Sequence, residues 1–421
     1  MCPSRPSTAP DFLLSRVHGS VRAQGSAATF TDPWAAAAAL KAGECEIVVG
    51  ALPFSLDDAA ALTVPESFVR DDGPLEPHSY YRLGSGSTIN ASIVGFDPSP
   101  KEHEDRITAA ISTIQRSVLE KIVLARSVDI QFNPPVDPLA IAARLIDQSH
   151  NKDGFVVDLS PAGGRYQGRT LVGSSPEVLI KREGSTVSAY PLAGSAGRVE
   201  DRDVDCFIGQ QLRTNAKDLD EHTFVVNHLV NVLEPLCSSL DVPNHPELTR
   251  TNEMWHLATP ITGTLRDKNM SALELALNLH PTPAVCGTPL HAAEDLISSV
   301  ETDRGFYSGA VGWCTNDGDG EYMVAIRCAE IAAGGASARA WLVAALWQVP
   351  LPTRSLRKPP PSCAPLCARW AYSDRRASST TSAVCSTPAP PVTDREVVVS
   401  LSTVKSLGSA SARSAGARMS L

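Results

Sequence analysis

No stretch of the 421 residues approaches the ~20 consecutive apolar positions that a membrane-crossing helix requires. The first 35 residues open on Pro and Ser and contain no compact apolar segment of the kind a secretory signal carries. Paired cysteine motifs are missing too: Cys2, Cys45, Cys206, Cys237, Cys286, Cys314 and Cys328 are scattered, with no CxxC among them. That spacing argues against a disulfide framework or a zinc site and suits a reducing, cytoplasmic setting. Positive charge is scarce overall. A formal net charge of −9 argues against non-specific nucleic-acid binding. Neither a nucleic-acid nor a membrane partner is expected, and the chain is expected to be a monomer or weak dimer.

Negative charge is scarce in one place only. Residues 342–421 hold three acidic groups (Asp374, Asp394, Glu396) against ten Lys and Arg, whereas residues 1–341 hold 43 against 27. The same eighty residues run to Pro, Ser, Arg and Ala without a sustained period, which reads as a basic disordered tail. The domain limits expected are an N-terminal segment 1–35, partly disordered, a catalytic domain 36–341, and an aberrant tail 342–421.

What is present is a body of alternating strands and helices. A short helix and a strand are expected within 35–54, a strand at 88–94, and an amphipathic helix at 104–120 on the spacing of Ile107, Ile111, Ile114 and Val118. A strand follows at 121–130, then strands at 155–159, 170–172, 178–182 and 186–190. A long helix is expected at 218–240, a strand at 254–265 and a hairpin from 306–314 and 321–331 across an Asn-Asp-Gly-Asp-Gly turn. Strands and long helices without a regular βαβ period indicate an α+β fold, a single domain of large mixed β-sheet layers flanked by helices.

Residues 280–287, His-Pro-Thr-Pro-Ala-Val-Cys-Gly, follow a helix-like run at 271–279. Two prolines fix φ and remove two donors, so the segment is a stiff loop, either an ordinary turn or a shaped pocket wall. Lys121 opens a strand, where a lysine is either a solvated edge charge or, if buried, a base of lowered pKa. Glu177 sits in the turn Gly-Ser-Ser-Pro-Glu, a surface carboxylate or a general acid raised by burial. Asp218 and Glu221 are three apart on one helix face. They either offset the helix dipole or hold Mg²⁺ through hard oxygens. Arg327, inside an apolar strand, needs a carboxylate partner from substrate or protein. His222, His228 and His256 have no metal-ligand spacing and read as packing or hydrogen-bonding residues.

Seven motifs occur in order: Glu120-Lys-Ile-Val-Leu-Ala-Arg126, Ser175-Pro-Glu177, Pro191-Leu-Ala-Gly-Ser195, Lys217-Asp-Leu-Asp-Glu-His222, residues 280–287, Arg304-Gly-Phe-Tyr-Ser-Gly309 and Ile326-Arg-Cys-Ala329. Together they resemble the chorismate-utilising enzymes, the group of anthranilate, salicylate and isochorismate synthases, from about Val48 to Trp341. The resemblance implies a deep site for chorismate and Mg²⁺. By it, Lys121 matches the base that activates water for attack on ring C2, and Glu177 the acid that protonates the departing 4-hydroxyl. Glu221, with Asp218 behind it, matches the metal-binding motif. Tyr307 and Arg327 match residues that hold substrate carboxylates, and Leu192, Gly194 and Ser195 the loop lining the site. The lysine and the 280–287 loop resemble the isochorismate synthases, with salicylate synthase the alternative. Both siderophore and menaquinone biosynthesis draw on isochorismate.

The pattern breaks after Trp341. Related enzymes continue with a Gly-rich strand and a helix carrying further magnesium carboxylates and a lysine, and no such motif follows here. A single base restored after the Trp341 codon permits Ala-Gly-Gly-Gly-Ile-Val-Ala-Gly-Ser over 342–350 and then Glu-x-x-Glu-x-x-x-Lys. The expectation is a one-base deletion in the gene, leaving a chorismate-binding relative that lacks a sheet strand and half of its metal site and is impaired in folding or turnover.

Overall fold

The computed structural model describes residues 9–75, 89–350, 395–402 and 418–420. Two large sheets face each other, with helices on their outer sides, and every strand pairing among the described residues is antiparallel. The twelve-stranded sheet runs Arg418–Ser420, Asn90–Asp97, Lys121–Phe132, Ser337–Pro350, Cys328–Ile331, Thr170–Gly173, Gly154–Asp158, Phe12–Ser15, Ser20–Gln24 and Ser67–Asp71. Gly287–Thr288 and Arg395–Ser402 attach beside that path. The nine-stranded sheet runs Cys237–Asp241, Ile261–Leu265, Thr186–Tyr190, Val178–Glu183, Gly320–Val324, Ala310–Thr315, Ile47–Leu52, Ala61–Val64 and Ala28–Phe30. A three-stranded sheet, Leu192–Gly197, Met254–Ala258 and Glu247–Arg250, stands apart.

Alternation along the strands builds the layers. Ala125 turns into the space between the sheets, where Phe12, Val49, Val157, Tyr307 and Trp341 pack. Ile122 and Leu124, one position off, face outward onto Ile114 of the helix Pro100–Arg116 and Ile297 of the helix Leu290–Val300. The 9-stranded sheet is covered by Val225, Leu229 and Leu233 of Ala216–Leu233 and by the apolar helix Ala272–Leu279. Helix starts follow capping chemistry. Ser99 accepts from the Glu102 N–H ahead of a first-turn proline, and Ser271 and Glu274 form a reciprocal capping box.

The α+β class and the helix-flanked sheets agree with the sequence, and several element limits do not. The helix expected at 218–240 is Ala216–Leu233, and Cys237–Asp241 is already a strand. The span 254–265 is two strands in different sheets, Met254–Ala258 and Ile261–Leu265, because Pro260 lies between them and cannot continue a ladder. The hairpin arms are Ala310–Thr315 and Gly320–Val324, after which the chain crosses to the other sheet as Cys328–Ile331. Residues 12–30 supply three strands to the two large sheets rather than standing outside them.

The missing strand is the clearest correction. Ser337–Pro350 runs without interruption past Trp341, pairing Leu342 with Arg126 and Trp347 with Lys121. The run Leu-Val-Ala-Ala-Leu-Trp-Gln-Val is apolar and β-prone in its own right, so it fills the place beside Lys121–Phe132. Residue 88 of the expected strand 88–94, and residues 351–394, 403–417 and 421 of the tail, lie outside the described residues.

Candidate active site

The stiff loop and the lysine strand are one structural unit. Gly287 pairs with Ile122 and Thr288 with Lys121, and the Val123 N–H donates to the Cys286 carbonyl at 2.8 Å. A Cβ at Gly287 would lie 2.3 Å from the Lys121 carbonyl oxygen, so only glycine lets the two backbones approach this closely. At the loop's other end the His280 Nε2–H donates to the Phe54 carbonyl at 3.0 Å, and burial pushes this histidine down to about 4. It is therefore a neutral anchor.

Arg304 and Glu301 bind these pieces together. Arg304, 3% exposed, donates to the Val285 carbonyl at 2.8 Å and to the Val123 carbonyl at 2.7 Å. Its Nε meets Glu301 Oε2 at 2.7 Å, and Glu301 Oε1 accepts from the Ala125 N–H at 2.7 Å. An ion pair thus caps both the loop and the strand that carries Lys121.

Lys121 is fully buried, and its Nζ lies 3.6 Å from Glu221 Oε1, an ion pair too long for a hydrogen bond. Burial lowers its pKa, opposed by the nearby Glu221 and Glu177 carboxylates. Glu177, 3% exposed, is pushed up to about 7 by burial, although the Leu192 N–H donates to it and Lys121 and Arg327 face it. Lys121 and Glu177 therefore sit sealed from water, the lysine lowered and the glutamate raised in pKa by burial.

Asp218 and Glu221 share one face of Ala216–Leu233 and are both 8% exposed. Burial first, then the Glu221 charge, raises Asp218 to about 6. Gly194 packs on this first turn in a left-handed conformation (φ +78°), where a Cβ would meet the Asp218 carbonyl at 2.9 Å. Beside it Ser195 Oγ and His256 Nδ1 are 2.7 Å apart, and His256 Nε2 and Arg327 Nη2 2.6 Å. A guanidinium can only donate, so Nε2 accepts and the Nδ1–H donates to Ser195. Burial and Arg327 hold His256 neutral, near 3. Arg327 also faces Glu253, Glu177 and Asp153.

The matching family model, described as chorismate binding enzyme, covers residues 86–340. The chain belongs to that family. This chorismate-binding enzyme is 41% identical over 326 residues to MenF of Mycobacterium tuberculosis, covering 77% of this chain and 86% of that protein. It is 42% identical over 286 residues to the isochorismate synthase DhbC of Bacillus subtilis, covering 68% and 71%. The crystal structure of DhbC from Bacillus anthracis superposes with a TM-score of 0.71 at 34% identity, over 80% of this chain and 90% of that one.

Eight of the nine residues singled out in this chorismate-binding enzyme are linked by contact or charge: Lys121, Glu177, Leu192, Gly194, Ser195, Asp218, Glu221 and Arg327. Tyr307 stands apart, stacked flat on Trp341 at 5.0 Å in the core between the sheets. Hydrogen bonding accounts for His222, as expected: Nδ1–H donates to the Ala193 carbonyl and Nε2 accepts from Thr259. The Arg304–Glu301 clamp was missed, although a Glu and Arg three apart beside the Arg-Gly-Phe-Tyr motif was a signal. Among the described residues no group of three or more His, Cys, Asp or Glu forms a metal site, and no helix is long and apolar enough to cross a membrane.

Proposed function

We propose that this enzyme is an isochorismate synthase, an isomerase that converts chorismate to isochorismate in a Mg²⁺-dependent reaction. The carrying observation is the buried pair of Lys121, lowered in pKa, and Glu177, raised to about 7. In this reading neutral Lys121 takes a proton from water as its oxygen bonds to ring C2. The ring double bonds shift, and the C4–O bond breaks as protonated Glu177 gives its proton to the departing hydroxyl, which leaves as water. A proton passed back from Lys121 to Glu177 resets the pair. Arg327, oriented by His256, would hold a substrate carboxylate, and Leu192, Gly194 and Ser195 would shape the wall.

Asp218 and Glu221 fit a Mg²⁺ ion: both are hard oxygen donors on one helix face, and a cation would offset the burial and the Glu221 charge that raise Asp218. When bound, Mg²⁺ would supply positive charge to fix and polarise the substrate. The 42% identity to an isochorismate synthase favours this reading over salicylate synthase. Incubation with chorismate and Mg²⁺ tests it: isochorismate without pyruvate is expected, and pyruvate release would point to the lyase reaction instead. We further infer that residues 342–421 stem from the lost base, since the family match ends at residue 340 where the composition changes. An intact Trp341 codon running into the next with no base missing would refute that.

A further inference from the structure

The strand Leu192–Gly197 carries a β-bulge where it borders the site. Leu192 pairs with Ala258 and Ser195 with His256, so Ala193 and Gly194 together oppose the single residue Leu257. A bulge bends its strand and re-aims the groups around it. Here the Leu192 N–H is turned onto Glu177, Gly194 lies left-handed against the Asp218 carbonyl, and Ser195 meets His256. The Ala193 carbonyl, inside the bulge, accepts from His222.

His222 follows Glu221 directly and lies one turn beyond Asp218 on Ala216–Leu233. It is 3% exposed, and its ring makes one bond at each edge. Nδ1 is 3.0 Å from the Ala193 carbonyl oxygen, and Nε2 is 2.7 Å from the hydroxyl of the equally buried Thr259. A carbonyl only accepts, so Nδ1 carries the hydrogen. Nε2 is then an acceptor, and the Thr259 hydroxyl donates. Thr259 directly follows Met254–Ala258, the strand paired with the bulge. One ring thus ties both strands of the bulge to the helix that presents Asp218 and Glu221. Without it a buried carbonyl and a buried hydroxyl would each lose a partner away from water.

We propose that His222 is a positioning residue: it fixes the Ala193–Gly194 bulge on the helix of Asp218 and Glu221, and so sets the substrate wall and Glu177 against that helix face. Both edges of its ring are taken by protein groups, so it acts through the Ala193 carbonyl rather than on the substrate. What the wall holds rests on the isochorismate synthase reading. What holds the wall rests on the two hydrogen bonds alone.

Hydrogen–deuterium exchange and chorismate binding by the full chain test this, with binding measured by calorimetry without Mg²⁺ so that no turnover intervenes. His222→Phe keeps a ring and removes both bonds. It should speed amide exchange across residues 192–197 about tenfold or more relative to the core strand Gly320–Val324, and weaken chorismate by a similar factor. His222→Asn restores a donor near the place of Nδ1 and should recover most of both. Thr259→Val, a milder change should the Phe variant not fold, should move both in the same direction by a smaller factor. A merely structural histidine would speed exchange in the wall and the core strand alike, and that result would overturn the proposal. Parental exchange or parental affinity in the folded Phe and Val variants would overturn it too. Exchange is read without substrate, so a chain that makes another product from chorismate would refute the isochorismate reading and leave His222 in its role.

Discussion

In the proposed reaction two side chains, Lys121 and Glu177, carry the chemistry, and their environment sets their behaviour. Glu177 is raised to about 7 by burial. A general acid must be protonated, so turnover should fall as pH rises through about 7, and a pH–rate profile checks the sign. Glu177→Gln, which cannot give up that proton, should lower kcat by a factor on the order of 10² to 10⁴ and abolish that limb of the profile. Activity that stays flat from acid to alkaline pH would remove Glu177 from the role. Lys121 was open in the sequence to two readings, edge charge or buried base, because burial is a tertiary property that a strand's first residue does not reveal. Its full burial excludes the solvated edge charge, and the base remains the proposed role.

At the scale of elements, the Arg304–Glu301 pair holds the 280–287 loop and the lysine strand in register. Arg304→Met leaves Glu301 charged in a site where its side chain is 4% exposed. Loss of one partner from a buried pair should cost about 3–5 kcal/mol, measured by denaturant unfolding, while Arg304→Met with Glu301→Gln should recover much of it. The loop's other anchor titrates. His280 has a folded pKa of about 4, below its unfolded value of 6.5, so its contribution is fully present above 6.5 and is lost as pH falls toward 4. Relative to His280→Gln, the wild-type chain should lose roughly 2 kcal/mol of stability between pH 7.5 and pH 5. A pH-independent difference between the two chains would contradict this.

These elements also show where sequence reading stops. The helix carrying Asp218 and Glu221 was legible from its apolar period, and the stiffness of 280–287 from its two prolines. What that loop stiffens against was not legible, since Gly287 pairs with Ile122 across 165 positions of chain. Likewise His256 looked like an ordinary hydrogen-bonding residue. Only the turn of the chain into a third small sheet brings it between Ser195 and Arg327.

Over the whole molecule, the family motifs fixed the arrangement up to Trp341, and the tail remained the open question. An apolar run can complete a sheet by backbone pairing alone, as Leu342 to Trp347 do beside Lys121–Phe132. It does not thereby supply carboxylates to a metal. This chain should therefore turn over chorismate more slowly than its counterpart with the reading frame restored after Trp341.

The most direct measurement is the product formed from chorismate by the frame-restored chain, its Lys121→Ala variant and the 421-residue chain, each with and without Mg²⁺. Mg²⁺-dependent isochorismate without pyruvate is expected from the first, none from the variant, and a reduced rate from the 421-residue chain. Isochorismate formed as fast by Lys121→Ala as by the parent would contradict it.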